Sequence, residues 1–148
     1  MKKVVFTTGG TGGHIYPALS IAKKVREKGG EVLFIGTKHR MEKDLVPKEN
    51  FRFIGLDVFP LKSPSSLIKM IKATFQTIKL LKKEKPTEII AFGNYITIPV
   101  LLAAIVLKIP YYLQEQNCTM GQANKYFYKM AKKVFIAFEN TLPNIPEK

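Results

Sequence analysis

The sequence predicts an α/β fold, a Rossmann-like parallel sheet of about six strands with helices on both faces. Two observations predict it. Short β-branched, apolar runs alternate with helix-patterned segments along the whole length, and the first run, KKVVFTT, passes directly into a glycine cluster. Lys3 to Thr7 reads as a buried strand. In PALSIAKKVREKGG the apolar Ala18, Leu19, Ile21, Ala22 and Val25 fall at helical spacing, with Pro17 suited to a first turn and Gly29-Gly30 to a stop. EVLFIG gives the second strand, RMEKDLVPKE a short helix ending near Pro47, and FRFIGLDVF the third strand. SSLIKMIKATFQTIKLLKKEK opens with serine caps and makes a long basic helix. TEIIAFG is the fourth strand, TIPVLLAAIVLK a helix, PYYLQEQ the fifth strand, GQANKYFYKMA a helix and KKVFIAF the sixth strand. The proline-spotted, polar stretch 139–148 reads as the start of a linker, leaving 1–138 as the domain.

A chain of 148 residues can build one domain with its own core. Its 24 Lys+Arg against 11 Asp+Glu give a net charge of +13, which predicts attraction to phosphates or to an anionic bilayer surface and says nothing of fold. The single cysteine, Cys118, rules out an internal disulfide and suits a reducing cytosol. ITIPVLLAAIVL is shorter than the ~20 apolar residues that a span needs, so it reads as a buried helix. The apolar run of MKKVVFTTGG is too short for a secretory leader. A soluble or peripheral protein is expected.

The stretch TTGGTGGHIYPAL places four glycines within five positions and a histidine directly after them. Glycines between a strand and a helix permit positive φ and close approach of backbone to a ligand. The helix N-terminus beyond offers unpaired N–H groups, a natural place for phosphate. GGTGGH fits no register of the G-x-G-x-x-G dinucleotide fingerprint, and the second strand ends in GTK without the ribose-binding acid. His14 stands where a P-loop would use lysine. NAD and ATP sites are therefore disfavoured, and a bare tight turn would need fewer glycines. In parallel sheets ligands gather at the carboxyl ends of strands, so the loops after strands one, four and five should converge.

GGTGGHIYPAL resembles the amino-terminal signature of the MurG family of bacterial peptidoglycan glycosyltransferases. The likeness recurs in GTKHRMEKDLVPKE, in FGNYITIPVLLAA and in QEQNCTMGQANKY, and so runs from the first strand to about Phe138. The resemblance implies transfer of N-acetylglucosamine from UDP to an undecaprenyl-diphosphate-linked muramyl-pentapeptide, lipid I to lipid II. It also implies the GT-B architecture of two Rossmann-like domains across a cleft. On that reading the chain is the acceptor-side domain, inactive alone, and the domain that binds most of UDP-GlcNAc lies outside it. Departures stand in the second glycine loop, where GNYITIP has Asn94 and Ile98 in place of family glycines and Thr97 in place of a serine. They remove glycines that a backbone anion nest uses. Gln114 also stands where the family has a histidine.

Transfer with inversion needs a general base for the acceptor hydroxyl and electrostatic help for diphosphate. His14 is the candidate base or acceptor-orienting group, against a plain reading as a helix-capping histidine. Glu115, at the end of strand five, is the candidate to orient His14 or bind a sugar hydroxyl, against a reading as a solvated acid. Gln116 and Asn117 offer paired donors and acceptors for sugar, and Asn124 on the next helix is a further candidate contact, against a plain reading as a helix-surface amide. Thr11 and the N–H groups of Gly12 and Gly13 are the expected contacts to the acceptor diphosphate, and Tyr95 matches a family tyrosine. His39, in a basic loop, carries no functional expectation. No metal or cofactor is expected.

In LIKMIKATFQTIKLLKK, Leu67, Met70, Ile71, Phe75, Ile78 and Leu81 cluster on one helical face and Lys69, Lys72, Lys79 and Lys83 on the other. Packing against the sheet explains most of that pattern. The resemblance adds membrane contact through Met70, Ile71, Phe75, Lys69, Lys72 and Lys79, which would hold the protein peripherally on the inner face of the cell membrane. Two rival readings are another GT-B glycosyltransferase or NDP-sugar epimerase domain, and a basic nucleic-acid-binding module. The lysines are spread, no nucleic-acid motif is present, and no nucleic-acid partner is expected.

Overall fold

The computed structural model describes residues 2–9, 12–93, 95–115 and 133–136, and of 12–14, 115 and 133–136 the backbone course alone. Six parallel strands form one sheet in the order β3-β2-β1-β4-β5-β6. They are β1 (Lys3–Thr7), β2 (Glu31–Thr37), β3 (Arg52–Leu56), β4 (Glu88–Ala91), β5 (Tyr111–Glu115) and β6 (Lys133–Ile136). The helices are α1 (Gly12–Glu27), α2 (Glu42–Lys48), α3 (Pro64–Glu84) and α4 (Thr97–Leu107). The expected fold is the observed one. The expected helix 121–131, and the linker 139–148, lie outside the described residues.

Alternation along β1 divides the core. Val4 and Phe6 face α1 and α2, together with Phe34, Ile15, Ala18, Leu19, Ala22 and Val46. Val5 faces α3 and α4, together with Leu33, Ile35, Met70, Leu81, Val100 and Leu101. Phe6 stacks between Phe34 at 5.3 Å and Phe92 at 6.1 Å, which locks the centre of the sheet under α1.

Two expectations about helix starts are corrected. α1 opens at Gly12, and Pro17 lies inside it rather than in its first turn. Pro17 has no N–H for the carbonyl of Gly13, so propensity alone would start the helix later. Burial of Ile15 and Ala18 against the sheet overrides that preference. α3 is capped by Ser63, whose hydroxyl accepts from Ser66 N–H at 3.3 Å, while Ser66 Oγ accepts from Ser63 N–H at 3.1 Å. Pro64 occupies the first helical position. The cap thus lies two residues ahead of the serine pair that the sequence suggested.

Candidate functional site

The chain reverses direction across the sheet between β1 and β4, which are neighbours although β2 and β3 intervene in sequence. α1 packs on one face and α4 on the other, and the carboxyl edge at such a switch is where ligands bind in open parallel sheets. Phe92 N–H donates to the carbonyl of Thr7 at 3.0 Å, tying the two strand ends together. Beyond Thr7 the chain passes Thr8 and Gly9, and α1 begins with Gly12, Gly13 and His14. Beyond β4, Gly93 takes φ 87°, a left-handed turn that favours glycine. α4 then starts after Ile96, with no side-chain hydrogen bond at its cap. Among the described residues, buried Thr7 Oγ1, on the α4 face of β1, has no hydrogen-bond partner.

The topology therefore brings the heads of α1 and α4 and the end of β5 to one edge. Gly12, Gly13 and His14 form the first turn of α1 there, Tyr95 the turn before α4, and Glu115 the last position of β5. Tyr95 is half-buried and packs on the α3/α4 core. Thr11, Gln116, Asn117 and Asn124 lie outside the described residues. Among the described residues no group of His, Cys, Asp and Glu could hold a metal ion.

The expected membrane face needs correction. The buried stripe of α3 is Ser66, Met70, Ala73, Thr77 and Leu81, so Met70 belongs to the core and cannot touch a bilayer. The apolar residues that point outward are its helical neighbours: Leu67, Ile71 and Phe75 are exposed, Phe75 by 68%, and Ile68 joins them. Lys72 and Lys79 are exposed beside that arc. Lys69 instead turns toward Asp57 at 3.6 Å and lies 4.6 Å over the Phe59 ring. His39 also stacks on Phe59, with ring centroids 4.6 Å apart and Nε2 2.7 Å from Asp57 Oδ1. The His39 hydrogen bond, with help from Lys69 and Lys38, holds the Asp57 carboxyl below its ordinary range. Among the described residues no helix is long and apolar enough to cross a membrane.

Sequence reasoning passed over Glu42, a fully buried acid beside the glycine cluster. Its signal was present only as one letter within GTKHRMEKDLVPKE.

Residues 4–136 match the glycosyltransferase family 28 N-terminal domain. The chain belongs to this family. A transferase from Fusobacterium nucleatum subsp. nucleatum, named UDP-N-acetylglucosamine--N-acetylmuramyl-(pentapeptide) pyrophosphoryl-undecaprenol N-acetylglucosamine transferase, is 52% identical over 148 residues, covering 100% of this chain and 42% of its own length. A relative of the same name from Halothermothrix orenii is 41% identical over 152 residues, covering 99% of this chain and 41% of its own. Among solved structures, Acinetobacter baumannii MurG superposes with a TM-score of 0.90 at 33% identity, covering 99% of this chain and 44% of that one. The resemblance to MurG read from the motifs is borne out. The family 28 chain thus spans about two fifths of the length of the curated relatives it matches. UDP-GlcNAc 2-epimerase from Neisseria meningitidis, bound to UDP-GlcNAc, shares the fold alone, with a TM-score of 0.71 at 16% identity over 99% of this chain and 44% of that one.

Proposed function

We propose that this chain is the acceptor-side half of an inverting transferase that moves N-acetylglucosamine from UDP to a diphospho-undecaprenol-linked muramyl-pentapeptide. The carrying observation is identity of 52% along the whole chain to a transferase of that name. The glycine cluster at the head of α1 supports it physically, because the N–H groups of Gly12 and Gly13 stand where a helix terminus favours an acceptor's diphosphate. In this reading His14, in the same turn, takes the proton of the attacking sugar hydroxyl as the bond from the anomeric carbon to the UDP oxygen breaks. Glu115 and Tyr95 border the acceptor at the same edge, with Thr11, Gln116, Asn117 and Asn124 completing its contacts. UDP-GlcNAc is held mainly by a second domain beyond the linker that begins near residue 139.

An acceptor with a polyprenyl tail stays in the bilayer, so the enzyme must work at the membrane surface. Outward Leu67, Ile68, Ile71 and Phe75 on α3 suit shallow insertion, and exposed Lys72 and Lys79 suit anionic headgroups at roughly 1 kcal/mol each. This reading makes the protein peripheral on the cytoplasmic face of the cell membrane.

The test is a transfer assay on the full-length protein that carries this chain, with UDP-[14C]GlcNAc and a short-prenyl analogue of the lipid-linked acceptor. Labelled disaccharide product is expected. Epimerised UDP-sugar without transfer would point to the epimerase alternative and overturn the reading.

A further inference from the structure

A buried carboxylate stands directly behind the glycine cluster. Glu42 opens α2, and its side chain is sealed from solvent. Its Oε2 accepts from Thr37 N–H at 2.8 Å and from the Thr37 hydroxyl at 2.9 Å. That hydroxyl accepts in turn from the N–H groups of Arg40 at 3.1 Å and His39 at 3.4 Å. The acid is thus fixed from the β2 side by the loop it belongs to.

Its other flank faces β1. A Cβ added at Gly9 would collide with the carboxylate, standing 2.7 Å from Cδ, and one added at Gly36 would stand 2.6 Å from Cγ. Glu42 therefore threads between two glycines on neighbouring strand ends, and only glycine leaves room for it. Burying an acid is expensive unless hydrogen bonds compensate it, and an apolar side chain would fill the same space without that cost. Packing alone does not account for a carboxylate here.

We propose that Glu42 is a positioning residue for the glycine loop: anchored by Thr37, its carboxylate is the wall on which Gly9 rests, and it sets where the N–H groups of Gly12 and Gly13 stand. This rests on the reading of that loop as a diphosphate cradle. The second βα loop thereby builds the ligand site of the first.

The test titrates the 15N-labelled chain with inorganic pyrophosphate and follows the glycine amide resonances. Glu42→Ala is expected to weaken pyrophosphate binding about tenfold, because a small displacement of a binding loop is enough for that. Glu42→Gln keeps the shape and an oxygen for Thr37, so it should bind within about threefold of the parent. That rescue distinguishes a wall from generic destabilisation. If the alanine variant fails to fold, Glu42→Asp, one methylene short of Gly9, takes its place with the same expectation of loss. A folded Ala or Asp variant that binds as the parent does overturns the inference, as does a Gln variant that loses as much as Ala. An absence of glycine shifts in the parent overturns it too. Transfer is scored separately on the full-length protein. Glu42-dependent pyrophosphate binding without transfer refutes the transferase reading alone, and transfer with Glu42-independent binding refutes this inference alone.

Discussion

At the amino edge of the sheet, Glu84 from the last turn of α3 receives Lys3 at 2.6 Å and both arms of Arg52 at 3.0 and 3.2 Å. Lys2 meets Glu88 at 3.5 Å close by. At the carboxyl edge stand glycines, a buried carboxylate, a buried threonine hydroxyl that has no partner among the described residues, and helix heads. The ion pairs at the first edge tie the starts of β1 and β3 to the end of α3, so they add stability. At the second, glycines allow close approach of backbone, and the first turn of α1 presents the helix terminus that favours an anion. Variants should therefore separate by edge: those at the amino edge should move melting alone, and those at the carboxyl edge should move binding and turnover.

The sharpest break is expected at His14. In the full-length protein His14→Ala should lower kcat by about 10²- to 10⁴-fold, the range of a lost general base. Melting should stay within a degree or two. Loss confined to acceptor KM would assign His14 to binding rather than proton transfer.

Next comes Gly9→Ala. Its methyl enters the space of the Glu42 carboxylate, and overpacking of this kind destabilises by about 1–3 kcal/mol. Thermal melting together with acceptor KM checks it, and both should worsen. Combined with Glu42→Asp, the loss should be smaller than the sum, since the shorter acid withdraws from the added methyl. Strict additivity would mean that the two residues do not share one wall.

The sequence made one half of this comparison legible. Strand and helix alternation pointed to a parallel sheet of about six strands, because buried strands and amphipathic helices write their periods into the chain, whereas the strand order came only from the structure. The glycine cluster marked the β1–α1 junction, because glycine in that number has no other use there. Glu42 was not legible, since an acid at a helix start normally reads as a solvated dipole partner. Its burial depends on Gly9 and Gly36, which meet it only after β1 and β2 pair. Met70 was misplaced for a related reason: a wheel finds an apolar face, but the partner decides which part of that arc is covered, here Met70 and Leu81 and not Ile71 or Phe75.

α3 spans both edges. Its outward apolar residues occupy the half near the carboxyl edge, and Glu84 closes the other end. Phe75→Ser removes a ring that contacts little of the protein, so stability should change by less than about 0.5 kcal/mol. Co-sedimentation with anionic phosphatidylglycerol vesicles should fall about tenfold, the equivalent of ~1.4 kcal/mol of lost apolar insertion. Unchanged sedimentation would remove this face from the membrane account.

The smallest effect belongs to the amino edge and carries a pH signature. Hydrogen bonds from Arg52 and Lys3 pull the Glu84 carboxyl from 4.5 down to about 2. A depressed acid stabilises the fold fully above its unfolded value and loses that contribution as pH falls through its folded one. Arg52 is more than half exposed, so solvent screening limits Glu84→Gln to about 1 kcal/mol near neutrality, a few degrees in melting. The gap between parent and variant should hold from pH 7 to about 5, then close between 4.5 and about 2 as the parent's carboxylate is protonated. A gap that widens in acid would mean that burial rather than its two cations governs this carboxyl. Because Glu84 lies at the edge away from the glycine loop, acceptor KM and pyrophosphate affinity should not follow the melting curve; if they do, the two edges are coupled through α3 and the division of labour between them fails.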